Sequence, residues 1–168
     1  GFGSEVLEQL DPTLGASVNR VLHIGGYGPV HQERNMILDK LALRERVKGE
    51  TVALKLHVGN NLSYSVIHPV FVRKVVQAIK DGGGKPFVCD VDWDVAGAET
   101  RGYTAEVLGC PVFPTAGPGE HYFYTHEWAF KQIKTWKVAG MIQDASFLVN
   151  FSHVKGHPSC GFGAGFKN

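Results

Sequence analysis

The pattern that most restricts the fold lies between Thr51 and Val91. Thr51 to Val58 (Thr-Val-Ala-Leu-Lys-Leu-His-Val) has strand length and an apolar, β-branched bias, and it ends at Gly59-Asn60-Asn61. A helix is expected from about His68 to Lys80. Pro69 sits in its first turn, and Phe71, Val72, Val75, Val76 and Ile79 share one face. Asp81-Gly82-Gly83-Gly84 stops that helix, and Lys85 to Val91 reads as the next strand. A strand, a helix of that length and a second strand place the two strands parallel, with the helix crossing one sheet face.

The rest of the chain repeats the theme. Val21 to Ile24 reads as a short strand, and Glu33 to Arg46 as a helix with Met36, Ile37, Leu41 and Leu43 on its apolar side. Ser4 to Leu10 has the look of a short helix. Thr104 to Leu108 reads as another, stopped by Gly109, and Pro111-Val112-Phe113 as a short extended piece. Tyr122 to Trp136 is expected to be helical, with Trp128, Ile133 and Trp136 inward. Phe147 to Phe151 closes the series as a strand. The alternation argues for an α/β, Rossmann-like three-layer domain with a mainly parallel sheet. Residues 1–168 form one such domain, with 1–45 as an N-terminal segment, and the chain reads as a piece of a longer protein.

Charge and cysteine usage narrow the function classes. A net charge of +1 gives no reason to expect nucleic-acid or membrane-surface binding. The three cysteines, Cys89, Cys110 and Cys160, are odd in number and widely spaced, which argues against a disulfide framework, and with no Cys-x-x-Cys pair neither a four-cysteine zinc site nor a self-contained iron–sulfur site fits. With no signal peptide and no apolar run near twenty residues, the expectation is a soluble, cytoplasmic chain.

The chemistry-bearing residues concentrate at the end. After Phe151 come His153, Lys155, His157, Cys160 and Lys167, interleaved with Gly156, Gly161, Gly163 and Gly165. This tail is expected to be an irregular loop whose glycines let the backbone approach a ligand. In an open α/β sheet the carboxyl ends of the strands share one edge, where ligands bind. That edge would collect His57, Asn60, Asn61, Asp90, Asp92, His153, Lys155, His157 and Lys167. His57 reads equally as a hydrogen-bonded strand histidine or a ligand, and Asp90 as a turn cap or a site residue. Imidazoles serve as metal ligands or as bases near neutral pH, which makes His157 and His57 candidate metal ligands and His157, His153 and Lys155 candidate catalytic groups. The backbone N–H groups of Gly161, Gly163 and Gly165 suit a phosphate or carboxylate. The remaining histidines, 23, 31, 68, 121 and 126, read as structural or surface residues.

Several stretches resemble domain-of-unknown-function family 362. They are Lys55-Leu56-His57-Val58-Gly59, His68-Pro69 with its helix, Gly84 to Asp90, Thr104-Ala105 before Leu108-Gly109, and Asp144-Ala145 through His153-Val154-Lys155-Gly156-His157 to Gly161-Phe162-Gly163-Ala164-Gly165-Phe166-Lys167-Asn168. The resemblance spans about residues 45 to 168. Members are often labelled iron–sulfur centre proteins, and many continue into a ferredoxin-like cysteine cluster. The resemblance therefore implies an iron–sulfur cluster only with ligands from sequence outside this chain, and a second domain or ferredoxin-like module as a partner.

The tail is also distantly similar to the nickel-pincer-dependent lactate racemase family. His157 and Lys167 stand ten positions apart, as in that family's motif, with Gly161 and Gly165 at matching glycines. Ala164 and Cys160 depart from it. This similarity implies that Lys167 anchors a nickel-pincer-like nucleotide and that His157 lies in the active site. It maps the cofactor phosphate loosely onto Asn60 to Ser65, hence Asn60 and Asn61 as cofactor-binding candidates. The expectation is a metal- or cofactor-binding domain, with nickel or iron as the metal. Its chemistry would be redox, racemase or epimerase chemistry on a small anionic hydroxy acid or carboxylate. The alternative is a non-catalytic iron–sulfur or metal-binding electron-transfer module.

Overall fold

The structure is a computed structural model that describes residues 21–25, 38–59, 66–163, 165 and 167–168. Five parallel strands form one sheet in the order β1-β7-β2-β3-β4. They are β1 (Val21–Gly25), β2 (Thr51–Lys55), β3 (Lys85–Asp90), β4 (Val112–Pro114) and β7 (Phe147–Ser152). Neighbouring strands joined by a crossover rather than a tight turn pair parallel, as β2 and β3 do. The clearest crossover helix is α2 (Pro69–Asp81), between β2 and β3. The fold is α/β, as the strand–helix alternation requires.

Both faces of the central strands are covered, which explains their nearly unbroken apolar sequence. Alternation along the strands sorts the side chains. Val52, Leu54, Val88, Phe147 and Val149 join a large core with Val72, Val75, Val76 and Ile79 of α2. Ala53, Phe87 and Cys89 turn to the other face and meet Ala145, with Met141 and Ile142 of the short helix α5 (Gly140–Gln143) packed against them. On α2 the expected apolar face is buried except at Phe71, which lies at its margin. His68 caps this helix, its Nδ1 accepting from Val70 N at 3.2 Å. That is a structural role, in line with its reading from sequence.

Three local expectations fail. The stretch Tyr122 to Trp136 is not a helix but an antiparallel hairpin of β5 (Phe123–Phe130) and β6 (Ile133–Ala139), turning at Lys131 with φ 53°. Its aromatic and β-branched residues favour extended backbone. That preference outweighs the sparse helical face that Trp128, Ile133 and Trp136 offer. Ile133, expected inward, is 52% exposed. The helix expected over Glu33 to Arg46 is interrupted where it is described: Leu38–Lys40 is helical, Ala42 is left-handed at φ 49°, and α1 resumes at Leu43–Arg46. The tail is not wholly irregular either, because β8 (Lys155–His157) and β9 (Gly161–Gly163) pair antiparallel. The short helix expected at Ser4 to Leu10 lies outside the described residues, as do Met36 and Ile37.

Of the next two short helices, the sequence pattern predicts only the one after Thr104. Asp92–Ala98 forms α3 directly after β3, and Ala105–Leu108 forms α4 with the Thr104 hydroxyl accepting from Val107 N. Among the described residues, no helix is long and apolar enough to cross a membrane.

Candidate functional site

The parallel sheet carries the ends of β2, β3 and β7 to one edge, and the chain's buried polar groups gather there. β2 gives up regular pairing after Lys55, and the next residues turn toward the end of β3. Leu56 N still donates to Cys89 O at 3.1 Å, but Val58 N donates to the Asp90 carboxylate instead, Oδ2 at 2.8 Å. This side-chain substitution for a ladder bond explains why the strand expected to reach Val58 stops at Lys55. Asp90 Oδ1 accepts from Val91 N at 2.9 Å and from Lys55 Nζ at 2.8 Å.

Lys55 and His57 are two positions apart and both reach Asp90, as alternation in extended backbone allows. His57 Nδ1 stands 3.6 Å from Asp90 Oδ2 and 3.6 Å from Asp94 Oδ2, the latter carried on α3. Those distances are electrostatic contacts, just longer than hydrogen bonds. The two carboxylates are buried, while the His57 side chain is 35% exposed. One edge of the ring is therefore held by acids and the rest is open to a ligand.

The two carboxyls titrate apart. Burial by itself would raise Asp90, but the His57 ring, the Lys55 ammonium and the Val58 N–H outweigh it and hold the group below its ordinary range. Asp94 is raised, first by burial and then by the neighbouring Asp90 charge, against the opposing pull of His57, Lys55 and Arg101. Asp90 is thus the fixed anion of the pair and Asp94 the group more ready to hold a proton.

The tail is fastened to this edge by a circuit of amides. Asn150 and Ser152 are buried polar residues on β7, an otherwise apolar strand. Asn150 Nδ2 donates to Gly165 O at 2.8 Å, and the Ser152 hydroxyl donates to Asn150 Oδ1. Asn168 Nδ2 donates to Asn150 Oδ1 at 2.9 Å, with Lys55 O at 3.3 Å and Ser152 Oγ at 3.4 Å. Asn168 Oδ1 accepts from Lys55 Nζ at 3.0 Å. Together with Leu56 O at 2.6 Å, the ammonium of Lys55 has three acceptors, one for each hydrogen.

Within the tail, Lys155 and His157 lie on the same face of β8, both half-buried, while Gly156 between them is exposed. Gly163 stands opposite Lys155 in the hairpin, and a Cβ there would come within 3.3 Å of His157 Cβ. Gly161, opposite His157, adopts φ +70°, a conformation that favours glycine. Lys155 is lowered, mainly by burial and then by the Lys167 charge, with Asp90 and Asp94 pulling the other way. His157 is lowered by desolvation and then by Lys167, Lys155 and His57. His153 is lowered by burial and by Lys155. These couplings put His57, His157, Lys155, Lys167, Asp90 and Asp94 within electrostatic reach of one another at the sheet edge.

Of the residues expected at the site, His57 and Asp90 meet directly; Lys155 and His157 couple electrostatically to this pair, Lys167 couples to those two, and His153 couples to Lys155. Asp92 turns away: its carboxylate accepts from Gly119 N at 3.1 Å. Asn60 and Asn61 lie outside the described residues. Gly165 contributes its carbonyl to Asn150. His157 Nδ1 accepts from Ser159 N at 3.1 Å and Cys160 N at 3.2 Å, so in this arrangement the ring acts as a turn cap and presents its Nε2–H outward. Sequence reasoning missed Lys55, Asp94, Asn150, Ser152 and Asn168 as site residues. The legible signal was Asn150, a polar residue inside the apolar run Phe147-Leu148-Val149-Asn150-Phe151.

A metal at this edge would draw on His57, Asp90 and Asp94, whose ligand atoms lie within 4.8 Å of one another. Bonds of roughly 2.0–2.2 Å need ligand atoms about 3 Å apart. Asp90 Oδ2 already takes the Val58 N–H, and an ammonium stands 2.8 Å from its other oxygen. The trio therefore suits a proton on His57 better than a divalent cation. An iron–sulfur cluster fits less well. Cys89 and Cys110 are buried, and burial pushes their thiols up to about 12 and about 11, against the thiolate a cluster requires. Cys160 is exposed in the hairpin turn.

The family model described as Domain of unknown function (DUF362) matches residues 52–168, which takes in β2, β3, β7 and the whole tail. No curated protein and no solved structure matches the chain.

Proposed function

The chain belongs to the DUF362 family, and from that premise we propose that it is the acid–base domain of an enzyme acting on a small anionic compound. The observation that carries this reading is the placement of His57 Nδ1 at 3.6 Å from both Asp90 Oδ2 and Asp94 Oδ2. Two carboxylates beside Nδ1 keep the proton on that nitrogen. The Nε2 lone pair is then left to take a proton from a bound molecule. The imidazolium formed would be stabilised by Asp90, as an acid that orients a base does in other enzymes.

The substrate class follows from the cationic groups of the tail that couple electrostatically to this edge. Lys155 and Lys167, with the Nε2–H of His157, offer cationic and hydrogen-bonding groups to a carboxylate or phosphate. A proton lost next to a carboxylate leaves charge that flows onto it, and the amines stabilise that charge where it develops. Racemisation or epimerisation of a small hydroxy acid or carboxylate is the reaction class this suits. A nickel-pincer-like nucleotide on Lys167 would supply hydride chemistry at the same edge. The chain's own part would be to bind the anion and move the proton.

The test is a titration of the full chain with glycolate, followed by ring and amine resonances in NMR spectra. Binding that perturbs His57, Lys155 and Lys167 together, and that is lost in His57→Gln and Lys155→Met, is the expected result. A parallel titration with nickel, iron(II) and zinc decides the competing reading. Stoichiometric metal binding that needs His57 and Asp94, with no response to glycolate, would replace the acid–base role by a metal site.

A further inference from the structure

We infer that Asn168 is a positioning residue, which locks the tail onto the Lys55–Asp90 pair and so sets where Lys155 and Lys167 stand relative to His57. The inference deepens the reading of the site given above and rests on it for its functional consequence. Its geometry stands alone.

The amides of the clasp can be arranged in only one way. Lys55 Nζ is a donor only, so the atom of Asn168 facing it at 3.0 Å must be oxygen. That fixes Nδ2 on the opposite side, where Asn150 Oδ1 accepts at 2.9 Å. Asn150 Oδ1 also takes the Ser152 hydroxyl, which fixes Asn150 Nδ2 toward Gly165 O at 2.8 Å. Every member has one assigned orientation, and reversing any amide sets donor against donor. Such a circuit is cooperative and specifies a single geometry.

The circuit has two ends. One is the tail backbone at Gly165, beside Lys167. The other is Lys55, whose ammonium touches both Asn168 Oδ1 and Asp90 Oδ1, the same carboxylate that faces His57. Asn168 and Lys55 are 113 residues apart in the chain. Asn168 thus couples the last segment to the proton-transfer pair through one intermediate side chain. Opening the clasp frees the tail and removes one of the three acceptors that hold Lys55 against Asp90.

The test compares the full chain with Asn168→Ala and Asn168→Asp. Aspartate keeps the oxygen for Lys55 but deletes the donors to Asn150; alanine deletes both. Two readouts are needed. Amide hydrogen exchange at 155–163 should rise about tenfold or more in both variants while β2 and β3 stay protected. The ammonium resonance of Lys55, visible while its three hydrogens are held, should persist in Asn168→Asp and disappear in Asn168→Ala. A purely structural role would move both variants alike in the second readout. Unchanged exchange in the tail would overturn the inference, and so would a Lys55 signal insensitive to Asn168→Ala. Glycolate separates this inference from the function reading. If the wild-type chain ignores glycolate while exchange and the Lys55 signal respond as stated, the clasp stands and the anion reading falls.

Discussion

His57 Nδ1 and Asp94 Oδ2 lie 3.6 Å apart, one just past the end of β2 and the other in the first turn of α3, which follows β3. The parallel pairing of β2 with β3, Lys55 opposite Cys89, brings these two segments to the same sheet edge. Asp94 is buried and raised, so its contribution to stability has a definite sign. A carboxyl whose folded value is raised contributes stability in full below its ordinary value of 3.8, and loses it as pH rises through the folded value. Asp94→Asn is therefore expected to be more stable than wild type at pH 7, with the difference vanishing below about pH 3.8. Denaturant melts at several pH values check this.

Asp90 carries the opposite sign. Its value is lowered, so its contribution is complete above 3.8 and is lost as pH falls through the folded value. Asp90→Asn removes the partner of a buried ammonium. It should destabilise the domain by about 3 kcal/mol at pH 7, the cost typical of breaking a buried pair from one side. Urea unfolding measures the change, and the deficit should shrink in acid.

Gly161 and Gly163 differ in what they tolerate. Gly161→Ala meets open space but strains a left-handed backbone, which costs about 1–2 kcal/mol in the hairpin alone. Gly163→Ala has an ordinary backbone but crowds His157 at 3.3 Å. The expected outcome is faster hydrogen exchange across 155–163 for Gly161→Ala. For Gly163→Ala the His157 ring resonance should shift, with exchange nearly unchanged.

Gly140 makes the hairpin testable. A Cβ there would fall 2.3 Å from the Tyr122 ring, whose hydroxyl bonds the Asp144 carboxylate next to that of Tyr124. Gly140→Val should displace the Tyr122 ring and speed amide hydrogen exchange across 123–139. The large core between the parallel sheet and α2, which lies on the other face, should keep its protection.

The sheet was legible because its central strands are buried on both faces and the crossover helix after Pro69 carries a clean apolar stripe. Phe147 to Phe151, Lys85 to Val91 and the helix after Pro69 needed no tertiary information. The hairpin at 123–139 was misread because three bulky residues outweighed the local preference of Thr125, Thr135 and the aromatics for extended backbone. At the site, His57 and Asp90 were visible as polar residues at strand ends. Lys55 and Asn168 were not, since their roles depend on a contact between segments far apart in the chain. Asp94 was hidden for another reason: α3 begins directly after β3, so a residue that looks like part of a strand-end acidic run is carried back over His57. His157 showed the converse, because its spacing pointed to a ligand whereas its Nδ1 closes a local turn.

In the proposed mechanism, two carboxylates hold the proton of His57 on Nδ1 and leave Nε2 as the reactive atom. A long-range proton–nitrogen NMR spectrum of the imidazole, recorded on the full chain under conditions where the ring is neutral, measures this directly. The account predicts the Nδ1–H tautomer, converted to the Nε2–H tautomer in a variant carrying both Asp90→Asn and Asp94→Ala. A wild-type ring with its proton on Nε2 would contradict it.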